Sequence, residues 1–169
     1  MNGRVGGGGA EGGFTADVDQ SFGKCPKYIL TRLHLRDRSD QSVVRRVETV
    51  WLGHKALALV ESADTFFIAT ASGPDRKDWI GGVDVSHCGR APGFVRAGEV
   101  AGKTMLTVPD FTGIGFFNTL GNLVQEPRVG LLFVNFKCGH LLQLSARSIF
   151  HWNSPEAAAA LGANRILTL

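Results

Sequence analysis

Ser86 and His87 stand side by side with Asp84 two residues upstream, a dense run of side chains able to hold or move a proton. In an extended segment residues i and i+2 share a face, so Asp84 can orient the Ser86 hydroxyl, although a solvated turn aspartate is the plainer alternative. His87 has no evident carboxylate partner in the sequence, and capping a strand end suits it as well as general-base chemistry. Cys25 precedes Pro26 between Lys24 and Lys27, cations that favour a thiolate, while a small thiol beside Tyr28 is equally suited to plugging an apolar gap. His34, His54, His140 and His151 are dispersed, with no His-Glu-x-x-His, Cys-x-x-Cys or acidic cluster, so no metal site is expected. The scattered carboxylates offer no glycosidase pair. The glycines at 6–9 follow no apolar strand and precede no Gly-Lys-Ser/Thr, which excludes a phosphate loop of that type. Arg128, after Pro127, is either a solvated strand-edge guanidinium or one that reaches a phosphate or a partner's carboxylate.

These side chains need a scaffold, and the chain supplies mostly short strands. A helix is predicted from a Thr49 cap through the apolar series Trp51, Leu52, Ala56, Leu59 and Val60, ending at 62–64. TFFIATAS (65–72) has the aromatic and β-branched content of a buried strand, followed by the turn 73–78 and the short strand ending VDVSH at His87. A glycine- and proline-punctuated loop at 88–93 leads to FVRAG and KTMLTVPD, two strands separated by a loop around 98–102. FFNTLGNLVQ (116–125) supports a helix that Pro127 stops. RVGLLFVNF (128–136) is a nearly continuous apolar strand, and HLLQLSARSIFHW (140–152) is expected to pair back on it antiparallel after a turn at 137–139. Ser154-Pro155 opens a last short helix and RILTL closes the chain as one more strand. Links too short for repeated crossover helices point to a barrel rather than a βαβ sheet.

Composition sets the outer limits. With 169 residues, 44% of them hydrophobic, the chain can bury one core and is short for two domains. Three units are expected: a flexible glycine-rich leader over 1–13, an arm with a short helix over 14–46 containing Cys-Pro-Lys-Tyr, and the main domain over 47–169. Eight Lys and Arg against three Asp and Glu between positions 24 and 55 attract phosphates generally, but no helix-turn-helix, zinc-finger or aromatic-interleaved pattern accompanies them, so no specific nucleic-acid partner is expected. Three widely spaced cysteines form neither a disulfide framework nor a local ligand set and read as reduced thiols of a cytoplasmic protein. Apolar runs fall far short of the ~20 residues of a membrane helix, and no membrane association is expected.

The segments VDQSFGKCPKYI (18–29), FFIATAS (66–72), DVSHCGRAPGFVR (84–96), the long block 106–136 and LLQLSARSIFHW (141–152) resemble the flavin-nucleotide-binding proteins related to pyridoxamine 5'-phosphate oxidase. The resemblance covers most of the chain after residue 17. It implies a mainly β fold with short helices, the FMN-binding split β-barrel, assembled as a symmetric homodimer with FMN in clefts between subunits. The strand 131–136 is the expected contributor to the dimer. The isoalloxazine ring is then expected against strands 67–72 and 83–87, and the phosphate near loop 88–93 and segment 110–117. The cofactor-binding residues implied are Ser86, His87, Arg90, Arg96, Asp110, Thr112, Phe116, Asn118 and Lys24, and no catalytic residue is singled out. Backbone N–H groups at the start of the helix at Phe116, flanked by Gly113 and Gly115, suit an anion, and Phe94 and Phe111 would supply apolar wall.

Three departures qualify the cofactor site. Cys88 stands where relatives carry a basic residue, with Arg90 two places later. Gly113-Ile114-Gly115 replaces a Gly-Asn-Arg pattern, and Lys24 replaces an asparagine. Isoleucine cannot hold phosphate as a guanidinium does, so the anchor is weakened unless Arg90, Lys24 or Arg96 compensates. Two functions follow from the resemblance. One is an FMN-dependent oxidoreductase exchanging electrons with a small-molecule donor or acceptor. The other is a non-catalytic dimeric module with a degenerate phosphate site, holding flavin or another planar cofactor such as haem.

Overall fold

A computed structural model describes residues 2–8, 13–21, 29–32, 44–73, 82–111, 118–152, 155 and 163–169. Period-two burial organises the centre of the fold. In β3 (Thr65–Ala71) Phe66, Ile68 and Thr70 are buried while Phe67, Ala69 and Ala71 are only partly so, and β7 (Arg128–Val134) alternates in the same way with Val129, Leu131 and Phe133 inside. The two strands pair antiparallel with Phe66 opposite Phe133 and Ile68 opposite Leu131, so their apolar sets meet on one face. β4 (Val83–Gly89) and β8 (Leu141–Arg147) complete a four-stranded sheet of order β4-β3-β7-β8.

A second four-stranded sheet has the order β5-β6-β10-β9, from β5 (Arg96–Val100), β6 (Lys103–Phe111), β9 (Ile149–Trp152) and β10 (Ala163–Thr168). Its β5–β6 connection is tighter than the loop expected around 98–102: Ala101 and Gly102 alone make the turn, with φ of 51° and 74°, the paired positive values of a two-residue hairpin. Pro109 lies in β6 beyond its pairing with β5, where the strand has a single neighbour, β10, and a missing N–H breaks fewer ladder bonds. The segment 140–152 does not pair back as one strand. Its first half pairs with β7, the chain passes buried Ser148, whose N–H donates to Pro127 O at 2.8 Å, and its second half pairs with β10 in the other sheet. That crossing joins the two sheets around one core.

The core gathers Phe66, Ile68, Leu106, Val108, Leu131, Phe133 and Leu167 from both sheets, with Val60 from helix α1 (His54–Ser62) and Leu123 from helix α2 (Asn118–Gln125). Phe66 stacks between Phe94 and Phe133, ring centroids 5.8 and 5.2 Å away. Phe94, expected as cofactor wall, therefore packs against the core. Helix α1 begins later than Thr49 predicts. Val50 has φ of 71°, which interrupts helical geometry, and Gly53 takes the N-cap position, its N–H donating to the Glu48 carboxylate at 2.8 Å. The helix α2 matches the described part of the predicted 116–125 helix, and the last strand falls where RILTL predicts it. The helix after Ser154-Pro155 lies largely outside the described residues.

At the N-terminus a strand pairing crosses residue 13. β1 (Asn2–Gly8), within the glycine-rich leader, pairs antiparallel with β2 (Phe14–Gln20) at the front of the arm, Val5 opposite Ala16. Cross-strand hydrogen bonding unites segments that composition alone separates at residue 13. Val5, Phe14 and Val18 remain more than half exposed on this hairpin. Of the arm, residues 14–21, 29–32 and 44–46 are described, and the short helix expected within it is not among them. Arg32, midway along the arm, is fixed in place: the guanidinium pairs with Asp64 and lies 5.0 Å over the Phe136 ring.

Candidate functional site

β4 lies beside β3 in strict antiparallel register, Phe66 opposite Cys88, Ile68 opposite Ser86 and Thr70 opposite Asp84, which directs Asp84, Ser86 and Cys88 to the core side. Asp84 is 2% exposed, and its carboxylate is a hub rather than a solvated turn group. The Ser86 hydroxyl donates to Asp84 Oδ2 at 2.9 Å, the Thr119 hydroxyl of α2 donates to the same oxygen at 2.7 Å, and the two hydroxyls are 3.0 Å apart. One turn further along α2, Asn122 donates to Thr70 Oγ1 at 3.2 Å. Helix α2 therefore meets the sheet through a polar seam at Thr119 and Asn122 and through the buried side chain of Leu123.

Next to this seam lie the Cys88 thiol and a second carboxylate, Asp110, paired with Arg165. Burial, reinforced by the nearby Asp110 and Asp84 carboxylates, pushes the Cys88 thiol up to about 12, so it is a packed thiol and not a nucleophile. Asp110 also sits above the ordinary carboxylate range because its burial outweighs the attraction of Arg165. Arg165 Nε lies 2.9 Å from Asp110 Oδ2, an ion pair by distance, although Nε makes no well-angled hydrogen bond. The guanidinium lies 4.9 Å over the Trp152 ring, and Trp152, Arg165 and Asp110 form a row across β9, β10 and β6.

The expected cofactor residues disperse around this region. Ser86 belongs to the Asp84 hub. His87 follows it in β4 and so points to the opposite face, edge-on to Phe67 with centroids 6.1 Å apart, and burial lowers its pKa against an opposing backbone hydrogen bond. Arg90 follows β4, half-buried, its backbone N–H donating to Asp64 O at 2.8 Å. Arg96 is exposed at the start of β5, opposite Thr107. Asp110 is held by Arg165, and Asn118 is the exposed first residue of α2, next to Thr119. Thr112, Phe116 and Lys24 lie outside the described residues. Thr119, Arg165 and Trp152 were not singled out from sequence. Thr119 falls in the predicted α2, but nothing local signals that its hydroxyl meets Asp84, 35 positions away.

The other face of the same sheet carries an open cleft. Ala69, Ala71, Gly130 and Ser145 form its shallow floor, Val83 one wall, and Glu126, Arg128 and Arg147 its rim. Arg128 is chelated by Glu126, with Nε to Oε1 at 2.9 Å and Nη2 to Oε2 at 3.0 Å. Among the described residues no group of three or more His, Cys, Asp or Glu could hold a metal ion.

No family model matches the chain, and no curated protein matches it by sequence. Two solved structures match it by fold. A structure of HupZ from Group A Streptococcus has a TM-score of 0.51 at 10% identity, covering 70% of this chain and 87% of that one. A candidate pyridoxamine 5'-phosphate oxidase from Lactobacillus delbrueckii has a TM-score of 0.53 at 16% identity, covering 75% of this chain and 94% of that one. The fold is thus mainly β, two four-stranded antiparallel sheets with short helices, of the split-barrel class to which pyridoxamine 5'-phosphate oxidase-like proteins belong. No described helix is long and apolar enough to cross a membrane.

Proposed function

We propose that this chain is a dimeric split-barrel module that holds a planar cofactor, FMN or another flat ring such as haem, without itself supplying acid–base chemistry. The observation that carries the choice is the parity of β4. Ser86 and His87 project to opposite faces, and the Ser86 hydroxyl is committed to Asp84, so the most reactive-looking pair in the sequence forms no dyad. A Ser86 hydroxyl held by a buried hub suits a fixed polar contact to a cofactor better than a nucleophile. The acidic surroundings of Cys88 also disfavour a phosphate at that point, consistent with a weakened FMN anchor. An FMN-dependent oxidoreductase remains the second reading, supported by the resemblance to the oxidase family across segments 66–72, 84–96 and 106–136.

The homodimer would use the outer face of the first sheet, where Val83, Val85 and Leu141 are more than half exposed beside Phe67 and Leu132. The strand expected to contribute, 131–136, would do so through its alternate side chains such as Leu132 and Val134, because Leu131 and Phe133 are core residues. A cytoplasmic location is part of the same proposal and rests on the reduced cysteines. The test is titration of the purified apoprotein with FMN and with haemin, followed by addition of a nicotinamide donor. Saturable binding of one cofactor, a light-scattering mass twice the 18.1 kDa of the chain and no catalytic turnover are expected. Multiple turnovers would establish the oxidoreductase, and absence of binding by either cofactor would remove both readings.

A further inference from the structure

Between the arm and helix α1 the chain makes a strained bend. Val50 has φ of 71°, a conformation that β-branched residues avoid, and the Trp51 N–H donates to Thr49 O at 2.7 Å, closing a three-residue turn of the rare, strained kind. Neighbouring hydrogen bonds hold it there. Val50 O accepts from Thr104 N at 3.0 Å, Leu52 N donates to Thr104 Oγ1 at 2.8 Å, and Gly53 N donates to the Glu48 carboxylate at 2.8 Å. The bend buries neither side chain it turns: Val50 is 61% and Trp51 64% exposed.

The anchoring at Thr104 sets this turn beside the tip of the β5–β6 hairpin, where Val100 pairs with Lys103. Val100 is also more than half exposed, as are Val44 and Val47 on the approach to the turn, so large apolar side chains stand out along this segment and the hairpin tip. Such a patch is unlike the scattered single exposures of an ordinary surface. Charge collects with it. Within 44–55 and 99–104, Arg45, Arg46, Lys55 and Lys103 are exposed against Glu48 and Glu99, a positive excess.

We propose that this end of the molecule docks on an anionic lipid bilayer, with Val50, Trp51 and Val100 entering the interface and Arg45, Arg46, Lys55 and Lys103 meeting the headgroups. Protruding valines and an indole rimmed by cations suit a soft anionic interface, where an indole settles at headgroup level. A second copy of the chain is a poorer occupant, because a twofold contact sets the same positive excess against itself. A surface contact of this kind needs no spanning helix, so it goes beyond the expectation drawn from the short apolar runs. It uses none of the residues assigned to the cofactor or to the dimer.

The test is co-sedimentation of the full chain with vesicles of phosphatidylcholine alone and of phosphatidylcholine mixed equally with phosphatidylglycerol. Binding to the anionic vesicles should exceed binding to the neutral ones by at least about tenfold, and should fall by about tenfold between roughly 0.1 and 0.5 M salt. Trp51→Ser should weaken it by about tenfold, and so should Arg45→Gln combined with Arg46→Gln. Val50→Gly removes an apolar side chain and relieves the turn, since glycine accepts positive φ. It should weaken binding about threefold with thermal stability equal to wild type or higher, a combination that a merely structural valine would not give. Lys137→Gln combined with Arg147→Gln removes two exposed charges elsewhere and should change binding by less than about twofold. Circular dichroism checks each fold. Equal loss in that control would mean that net charge alone drives binding and would overturn the surface, as would binding that survives Trp51→Ser or no binding to either vesicle. Binding to polyaspartate but not to the vesicles would assign the surface to an acidic protein and equally overturn the lipid reading.

Discussion

The two faces of the sheet β4-β3-β7-β8 are built from alternate residues of the same four strands and have opposite properties. The core face carries Phe66, Ile68, Leu131 and Phe133, all at most 4% exposed, and ends in the polar seam of Asp84, Ser86 and Thr119. The outer face carries Phe67, His87, Leu132 and Leu141 at one end, small residues such as Ala69, Ala71 and Gly130 toward the other, and the Arg128 and Arg147 side chains at its edge. The difference teaches that in this fold a residue's parity within its strand decides its role before its chemical type does. Ser86 and His87 are adjacent, and one joins a buried hub while the other lies beside Phe67 on the far side.

The strongest test of that contrast compares neighbours on one strand. Phe133→Ala should cost about 3–5 kcal/mol by leaving a cavity between Phe66 and Leu142, whereas Leu132→Ala, one residue away, should cost less than about 1.5 kcal/mol in the monomer. Urea unfolding of both variants measures the gap, and equal losses would break the two-face description.

Thiol chemistry gives a comparable effect. Cys88, whose thiol is pushed up by burial and nearby carboxylates, should react with an alkylating reagent near pH 8 at least about tenfold more slowly than exposed Cys138, and the difference should close once the chain is unfolded. Mass-spectrometric mapping of the label over time distinguishes the two.

A smaller loss is expected at the polar seam. Asp84→Ala should destabilise by about 1–3 kcal/mol because two hydroxyls lose a common acceptor, and Asp84→Asn, which keeps an acceptor oxygen, should lose less. Denaturant midpoints order the three proteins, and an alanine variant as stable as wild type would remove the hub from the account of how α2 is held.

The smallest effect lies off the sheet. The hydrogen bond from Arg32, against opposing burial, lowers the pKa of Asp64 in the folded chain. The stability this supplies is complete above the unfolded carboxylate pKa and is lost as pH falls through the lower folded value. For a partly exposed pair the contribution should be about 0.5–1 kcal/mol. Thermal melts between pH 7 and pH 2 should show this loss in wild type, and Arg32→Gln should reduce the slope on the acid side.

Much of the architecture was legible because it rests on local pattern. The strand 65–71 follows from aromatic and β-branched content, 128–134 from a nearly continuous apolar run, and the C-terminal end of α2 from Pro127. Errors came where a distant partner decided the outcome. A possible threonine cap at 49 lost to a chain reversal at Val50, whose carbonyl accepts from Thr104 N at 3.0 Å, and the single strand expected over 140–152 split at Ser148 because each half found a different sheet. The glycine-rich start paired with 14–20 through backbone hydrogen bonds that composition does not encode.

For the candidate sites the division is sharper. Residue types and spacing alone determined a mainly β chain, the capacity of Asp84 to orient Ser86, and the absence of a recognisable metal motif or carboxylate pair. Only the tertiary structure decided that Thr119 shares the Asp84 oxygen, that Arg165 bridges Asp110 and Trp152, and that Arg128 stands opposite Arg147 across β7 and β8. Local sequence sets periodicity over a few residues. Register and sheet order set which periodic faces meet, and those come from the free energy of closing one core around segments tens of residues apart.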